Sequence, residues 1–415
     1  MMVTNCGFNS TFFQDNRKSL RQLLRQDVTI VITANGLLQR GADASYPFFQ
    51  DANFRYLTGI DYPDITLVMS GPDEFLIVPQ RESIRAAFDG QIDDREIRGI
   101  SGIEEIVDET NGWKRLDGLL AADNRLATLL PAPSFIGQFG MYANPARARL
   151  MRRIKQHGLP PEIFDLRPLL ARMRMIKQKP ELEAIQTAID ITTQTLQEIL
   201  VKPDGYEFEY QIEADISHGF RFRGAEGHAF DPIVAAGIRA CVLHNTANNG
   251  PVRAGELVVL DVGASVCGYA ADLTRVLTST QPTQRQLDIY QAVLETQAYA
   301  INLLQPGVLL EEYERLVVKY LGRRLRQLKL VTGFSQDEIR QFYPHAASHF
   351  LGLNVHDVGD YRQPLQPGMV LTVEPGIYVP EEGIGVRIED DILITDTKAQ
   401  ILSAGLNSQL NPHRD

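Results

Sequence analysis

Ten residues from Ala254 to Gly263, AGELVVLDVG, align without a gap with ten from Pro367 to Gly376, PGMVLTVEPG. In each stretch a glycine is followed six residues later by a carboxylate, Asp261 or Glu374, and then two later by a second glycine. Coincidence between two apolar strands is one explanation, since such strands share composition in any case. The other is an internal repeat, which constrains the fold far more. It predicts two related halves, each built around an apolar, β-branched strand that carries one acid near its end.

The residues after each strand extend the match. ASVCGYAADLTRVL returns as a hairpin turning near Ser265 to Gly268, and symmetric pairing sets Asp261 directly opposite Asp272. Opposed residues share a face with Cβ atoms ~5 Å apart, and like charges so placed repel. Either one acid stays protonated or a cation lies between them; a one-residue slip would instead point them to opposite faces. The second copy continues through IYVPEEGIGVRIEDDILIT, which places Glu374 and Glu389 on two strands of another hairpin. Arg387 shares a face with Glu389 by the period of two, as a second-layer support for a ligand or as a plain cross-strand ion pair.

Four acids on two strand pairs make a pocket that cannot stay ionised and buried without cations. Oxygen-rich ligation with one imidazole suits Mn²⁺, Fe²⁺, Co²⁺ or Zn²⁺, and this many carboxylates suits two ions. Paired ions can clamp a displacement at a carbonyl or phosphoryl centre. The nitrogen is sought in YPHAASHFLGLNVHDVG, which holds His345, His349 and His356 of the chain's eight histidines. A lone histidine in an apolar stretch is usually structural; three just upstream of a carboxylate strand favour a ligand, and His349 is the candidate. His244, in CVLHNTANN, precedes the first hairpin and can approach from the other half. His157, His218, His228 and His413 lack such a context.

The rest of the chain sets bounds. Its 415 residues exceed one ordinary core. VTIVITA, DITLVMS, EFLIVP and the helical RKSLRQLLRQ predict an N-terminal α/β domain over residues 1–168. Prolines 160, 161 and 168 mark a boundary, and residues 169–415 form the second domain. That domain opens on KPELEAIQTAIDITTQTLQEIL, with Pro180 in its first turn and Leu182, Ile185, Ile189, Leu196 and Ile199 on one stripe. Capping boxes at Thr283–Gln286 and Ser335–Glu338 start two more helices. A net charge of −11 argues against nucleic acid as a partner. No apolar run is long enough to span a bilayer, and no secretory signal is evident. Cys6, Cys241 and Cys267 predict neither a disulfide framework nor a CxxC metal site, as in a reduced cytoplasm.

Asp261, eleven residues to Asp272, then SHFLGLNVHDVG, TVEPGIY and VRIEDD form an ordered set that resembles the pita-bread metallopeptidases. Among them it looks most like the Xaa-Pro aminopeptidases (aminopeptidase P), with the Xaa-Pro dipeptidases (prolidases) close by. FFQDANFRYLTGIDYPDITLVM resembles that family's N-terminal domain more weakly. The resemblance implies an α/β (α+β) architecture in which a smaller N-terminal domain precedes a pita-bread catalytic domain of two pseudo-symmetric halves. It implies that Asp261, Asp272, His349, Glu374 and Glu389 bind two divalent ions, commonly manganese. A metal-bridging hydroxide would attack the carbonyl preceding proline, Glu374 assisting proton transfer. His244 and His356 would line the substrate site, His345 would support the metal shell, and Arg387 would steady a ligating carboxylate. The implied substrate is a peptide with proline second, and the implied assembly a homodimer or homotetramer. Non-catalytic peptide-binding relatives typically lose metal ligands, whereas all five stand here. One departure is the short DYRQPLQPGM connection, where aminopeptidase P members often carry a longer, arginine-bearing loop; Arg362 is the arginine present.

Overall fold

The computed structural model describes residues 7–24, 28–79, 88, 90, 93–123, 125–131, 135–156, 162–201 and 205–410. Cys6, His157, His413 and prolines 160 and 161 lie outside the described residues. Two compact units are present, one from Phe8 to Met173 and one that runs on from Arg174. No helix among the described residues is long and apolar enough to cross a membrane.

In the first unit, helix α1 (Ser10–Leu24) precedes strands β1 (Thr29–Thr33), β2 (Thr66–Ser70), β3 (Asp73–Val78), β4 (Glu105–Asp108), β5 (Arg125–Thr128) and β6 (Glu162–Asp165). Among the described residues these form one sheet in the order β4-β3-β2-β1-β5-β6. β2 runs antiparallel to both β1 and β3, and the pairs β1–β5, β5–β6 and β3–β4 are parallel. Val31, Val68, Phe75 and Leu126 pack together in the core, where the β-branched runs predict buried strands.

The second unit opens on α2 (Lys179–Leu200), with Pro180 in its first turn. Ile185, Ile189, Leu196 and Ile199 are buried, while Leu182 is half-buried at the edge of the stripe. Helices α3 (Gln284–Leu303) and α4 (Leu310–Gln327) come later, and both expected capping boxes form, at Thr283–Gln286 and Ser335–Glu338.

The first strand copy is β8 (Leu257–Val262), which lies between β7 (Ile233–Ala236) and β11 (Leu273–Thr278). Between β8 and β11 the chain forms two short strands, β9 (Ala264–Val266) and β10 (Tyr269–Ala270). The second copy is β12 (Val370–Val373), followed by β13 (Gly376–Val379), β14 (Ile384–Arg387), β15 (Asp390–Ile394) and β16 (Ala399–Ile401). β12 pairs with β15, and β13 with β14. Val259, Val276, Val293, Val317, Leu371, Val373 and Val386 share one core, so both copies bury their apolar face together.

The register differs from the symmetric expectation for the first hairpin. Its turn is centred on Cys267 and Gly268, at φ of 50° and 76°, the left-handed pair that a two-residue hairpin turn requires. That moves the pairing along by two, so Asp261 lies opposite Thr274, not Asp272. Asp272 is a diagonal neighbour, still on the same face by the period of two. The ladder is broken between them at Gly263, where a Cβ would stand 1.7 Å from the Ala271 carbonyl oxygen. Gly263→Ala should therefore lower stability by about 3 kcal/mol or more, since backbone must move to admit it; an unchanged urea midpoint would contradict this packing.

In the second hairpin the flanking pairs Val373↔Asp390 and Gly376↔Arg387 set Glu374 opposite Glu389 across a short gap in the ladder. By the gap-free alignment, the position matching Glu389 is thus Thr274, and the position matching Asp272 is Arg387. The repeat is faithful in its first strands and exchanges residue types in its return strands. Thr274 and Glu389 meet in an isolated antiparallel bridge, so equivalent residues of the two copies touch where the copies join. Cys267 is disulfide-bonded and Cys241 is free.

Candidate metal centre

Asp272, His349 and Glu389 each direct one ligand atom to a common point, these atoms lying within 4.8 Å of one another. Asp261, on β8, and Glu374, the residue after β12, stand beside them. Asp272 and Glu389 sit at the starts of the two return strands, each at a break between ladders where the strand twists its acid inward.

His349 reaches the group from the loop before β12. Its backbone N–H donates to Thr372 Oγ1 at 3.2 Å, and its Nδ1 lies 3.1 Å from the Phe350 carbonyl. A carbonyl can only accept, so Nδ1 carries a proton and Nε2 is the nitrogen left to face the acids. Nε2 lies 3.5 Å from Asp272 Oδ2 and 3.4 Å from Glu374 Oε1. Two carboxylates and an imidazole nitrogen converging on one point are stable only with a proton or a cation among them.

The electrostatics agree. Burial, and then the neighbouring Asp261 charge, hold Asp272 well above the usual carboxylate range. Glu389 is raised likewise by burial and by Asp272. Burial lifts Glu374 to about 7, against the opposing pull of His349. Asp261 Oδ1 and Glu389 Oε1 are buried without a hydrogen-bond partner. Orphaned carboxylate oxygens beside an imidazole nitrogen are what a divalent-cation site requires of its ligands.

A second layer holds this set in place. The period of two sets Arg387 beside Glu389, but its Nη2 pairs with Asp261, also one of the expected ligating carboxylates. Its Nη1 donates to the Tyr378 hydroxyl at 2.8 Å and its Nε to Thr274 Oγ1 at 3.3 Å. Thr274 in turn donates to Glu389 Oε2 at 2.6 Å. Thr274 thus stands between Arg387 and Glu389. The Asp272 backbone N–H donates to Asp391 Oδ2 at 3.0 Å. Sequence reasoning missed Thr274, Tyr378 and Asp391; the match of Thr274 to Glu389 emerges only once the hairpin register is known.

His345 and His356 differ from His349. His345 Nδ1 lies 2.8 Å from the Ala346 carbonyl, and its Nε2 lies 2.9 Å from the Tyr378 hydroxyl. Burial, then Arg387, lowers its pKa to about 3. His356 projects to the surface with its ring centroid 4.4 Å from that of His349, edge to face. Loss of hydration, then His349 and His244, lowers it to about 4. Both imidazoles are therefore neutral at pH 7. His244 is exposed and lies close enough to act electrostatically on both. Arg362 is 91% exposed and held by Asp360, so it does not enter this group. His218 stacks on Phe222, and His228 meets Ser217 at 2.7 Å, both in contacts apart from this cluster.

Comparison with known proteins places this geometry in context. Residues 183–396 match the model of metallopeptidase family M24, and residues 13–127 match the N-terminal domain of aminopeptidase P. The Xaa-Pro aminopeptidase of Escherichia coli (strain K12) is 33% identical over 420 residues, covering 95% of this chain and 94% of the relative. Xaa-Pro aminopeptidase 3 of Homo sapiens is 32% identical over 411 residues, covering 93% of this chain and 80% of the relative. The structure of aminopeptidase P from E. coli with the inhibitor Pro-Leu superposes with a TM-score of 0.83 at 30% identity, over 96% of each chain.

Proposed function

The chain belongs to metallopeptidase family M24, and from that premise we propose that it removes the N-terminal residue from peptides with proline second. The observation that carries this reading is the convergence of Asp272, His349 and Glu389 on one point, with Glu374 and Asp261 beside them. It is supported by the Xaa-Pro aminopeptidases to which nearly the whole chain is similar. In domain terms, residues 169–415 carry the catalysis and residues 1–168 the aminopeptidase P-like N-terminal domain.

Asp261, Asp272, His349, Glu374 and Glu389 would hold two divalent ions, with manganese the first candidate and cobalt, zinc and iron the others. When bound, such ions polarise a carbonyl and activate water at neutral pH. Glu374 is suited to carry a proton, since its affinity near pH 7 lets it accept and release one at working pH. Neutral His356, with His244 nearby, can donate a hydrogen bond to substrate without the desolvation cost of a charge. Arg387 and Tyr378 keep Asp261 and His345 oriented.

Comparing turnover of an Xaa-Pro dipeptide with Xaa-Pro-Yaa tests the reading. An aminopeptidase should cleave the tripeptide and release the free first residue. A protein that cleaves only the dipeptide is a prolidase instead.

The peptide substrate needs neither nucleic acid nor membrane. Homodimeric or homotetrameric assembly is supported by Leu37, Leu38, Phe49, Met141 and Tyr142, large apolar side chains left exposed in the N-terminal unit. Cytoplasmic residence rests on the sparse cysteines, and the bonded Cys267 counts against it; thiol trapping in intact cells decides between them.

A further inference from the structure

Asp357 directly follows His356, and the two are opposites: His356 is exposed, whereas the Asp357 side chain is 1% exposed. Two buried cations grip that carboxylate. Arg174 Nη2 donates to Oδ1, and Lys177 Nζ donates to Oδ2 at 3.2 Å. Lys177 also donates to the Arg174 carbonyl at 2.7 Å, tying the two cations together. A buried ion cluster is poor evidence of stabilisation, because desolvation consumes most of the Coulomb gain. Its role is better sought in what it holds still.

What it holds is the loop that carries His356. The Asp357 N–H donates to the Phe350 carbonyl at 2.8 Å, and the Gly352 N–H to the Asn354 carbonyl at 3.1 Å. Ala270 N–H donates to the Gly352 carbonyl at 2.8 Å, fastening the loop to β10. Gly352 is required at this point: a Cβ there would stand 2.2 Å from Asp357 Oδ2 and 3.0 Å from Lys177 Nζ. The loop is thus closed on a buried anchor, and the ring of His356 is set against His349 from the residue next to it.

We propose that Asp357, clamped by Arg174 and Lys177, is a positioning residue that fixes the backbone from which His356 meets the substrate. This rests on the reading of His356 as a substrate-site residue. Arg174 and Lys177 lie more than 170 positions from Asp357 in the chain, so the clamp is invisible to local motif reading.

The test pairs Asp357→Asn with Lys177→Met, which removes one charge of each sign and so leaves the net charge of the buried cluster unchanged. In the metal-loaded full chain, kcat on Xaa-Pro-Yaa should fall about 10- to 100-fold, the scale of a small misplacement at a reacting centre. KM should change less than about threefold and the bound metal content not at all. The decisive readout is the same pair in a His356→Ala background, where the further loss should be under about twofold, as for residues acting through one group. An equal loss in that background, or wild-type kcat in the original one, would overturn the proposal. If His356→Ala alone leaves kcat unchanged, the underlying reading of His356 fails instead. Should the pair not fold, Arg174→Lys keeps the charge, alters the grip, and must show the same dependence on His356.

Discussion

Glu374→Gln should lower kcat on a peptide with proline second by about a thousand-fold, within the 10²–10⁴ range for loss of a positioned acid–base group. Gln keeps the shape of the side chain and its neighbours but can no longer take up a proton. The same substitution should leave the metal-free protein as stable as the wild type or more so. In the wild type this carboxyl is buried beside Asp272, and both are raised above their ordinary range. Removing one of several crowded acids relieves repulsion. Loss of activity with retained or raised Tm separates a chemical role from a structural one; a variant that keeps its turnover would remove Glu374 from the reaction.

Metal removal gives the second large effect, and its pH dependence has a definite sign. The folded pKa of Glu374 is raised from its ordinary 4.5 to about 7. A group raised in this way binds more protons folded than unfolded, so its contribution is fully present below pH ~4.5 and is lost as pH rises to about 7. A shift of that size corresponds to roughly 3 kcal/mol. His345 and His356 are lowered, and so act in the opposite sense, losing stability as pH falls below about 6.5. They are common to wild type and Glu374→Gln, and cancel when the two are compared. The stability advantage of metal-free Glu374→Gln over metal-free wild type should therefore be near zero at pH 4.5 and grow to its full size by pH 8. Adding Mn²⁺ should raise the wild-type Tm more at pH 8 than at pH 5, because the ligands must be deprotonated to bind. Calorimetry with and without chelator reads both. A difference between the proteins that is flat with pH would mean that Glu374 is not raised.

Much of this site was legible because its acids sit at fixed offsets in two similar strands. The pattern of glycine and carboxylate in AGELVVLDVG and PGMVLTVEPG needs no partner to be recognised, and it led to Asp261 and Glu374. The buried runs of the first unit were legible for a different reason, since strands covered on both faces are apolar throughout. Hairpin register was not legible. Whether the turn centres on Cys267–Gly268 or one residue earlier depends on which residues accept positive φ, and cysteine gives no warning that it does. That single choice decides whether Asp261 faces Asp272 or Thr274. The Arg174–Lys177–Asp357 clamp was beyond reach altogether, because nothing local in the chain says that these residues meet.

The most direct test of the central claim is turnover of an Xaa-Pro-Yaa tripeptide by exhaustively metal-stripped protein, followed by stepwise return of Mn²⁺. The carboxylate–imidazole cluster predicts no turnover when stripped, and recovery that completes at two ions per chain. Full turnover in the metal-free protein would contradict it.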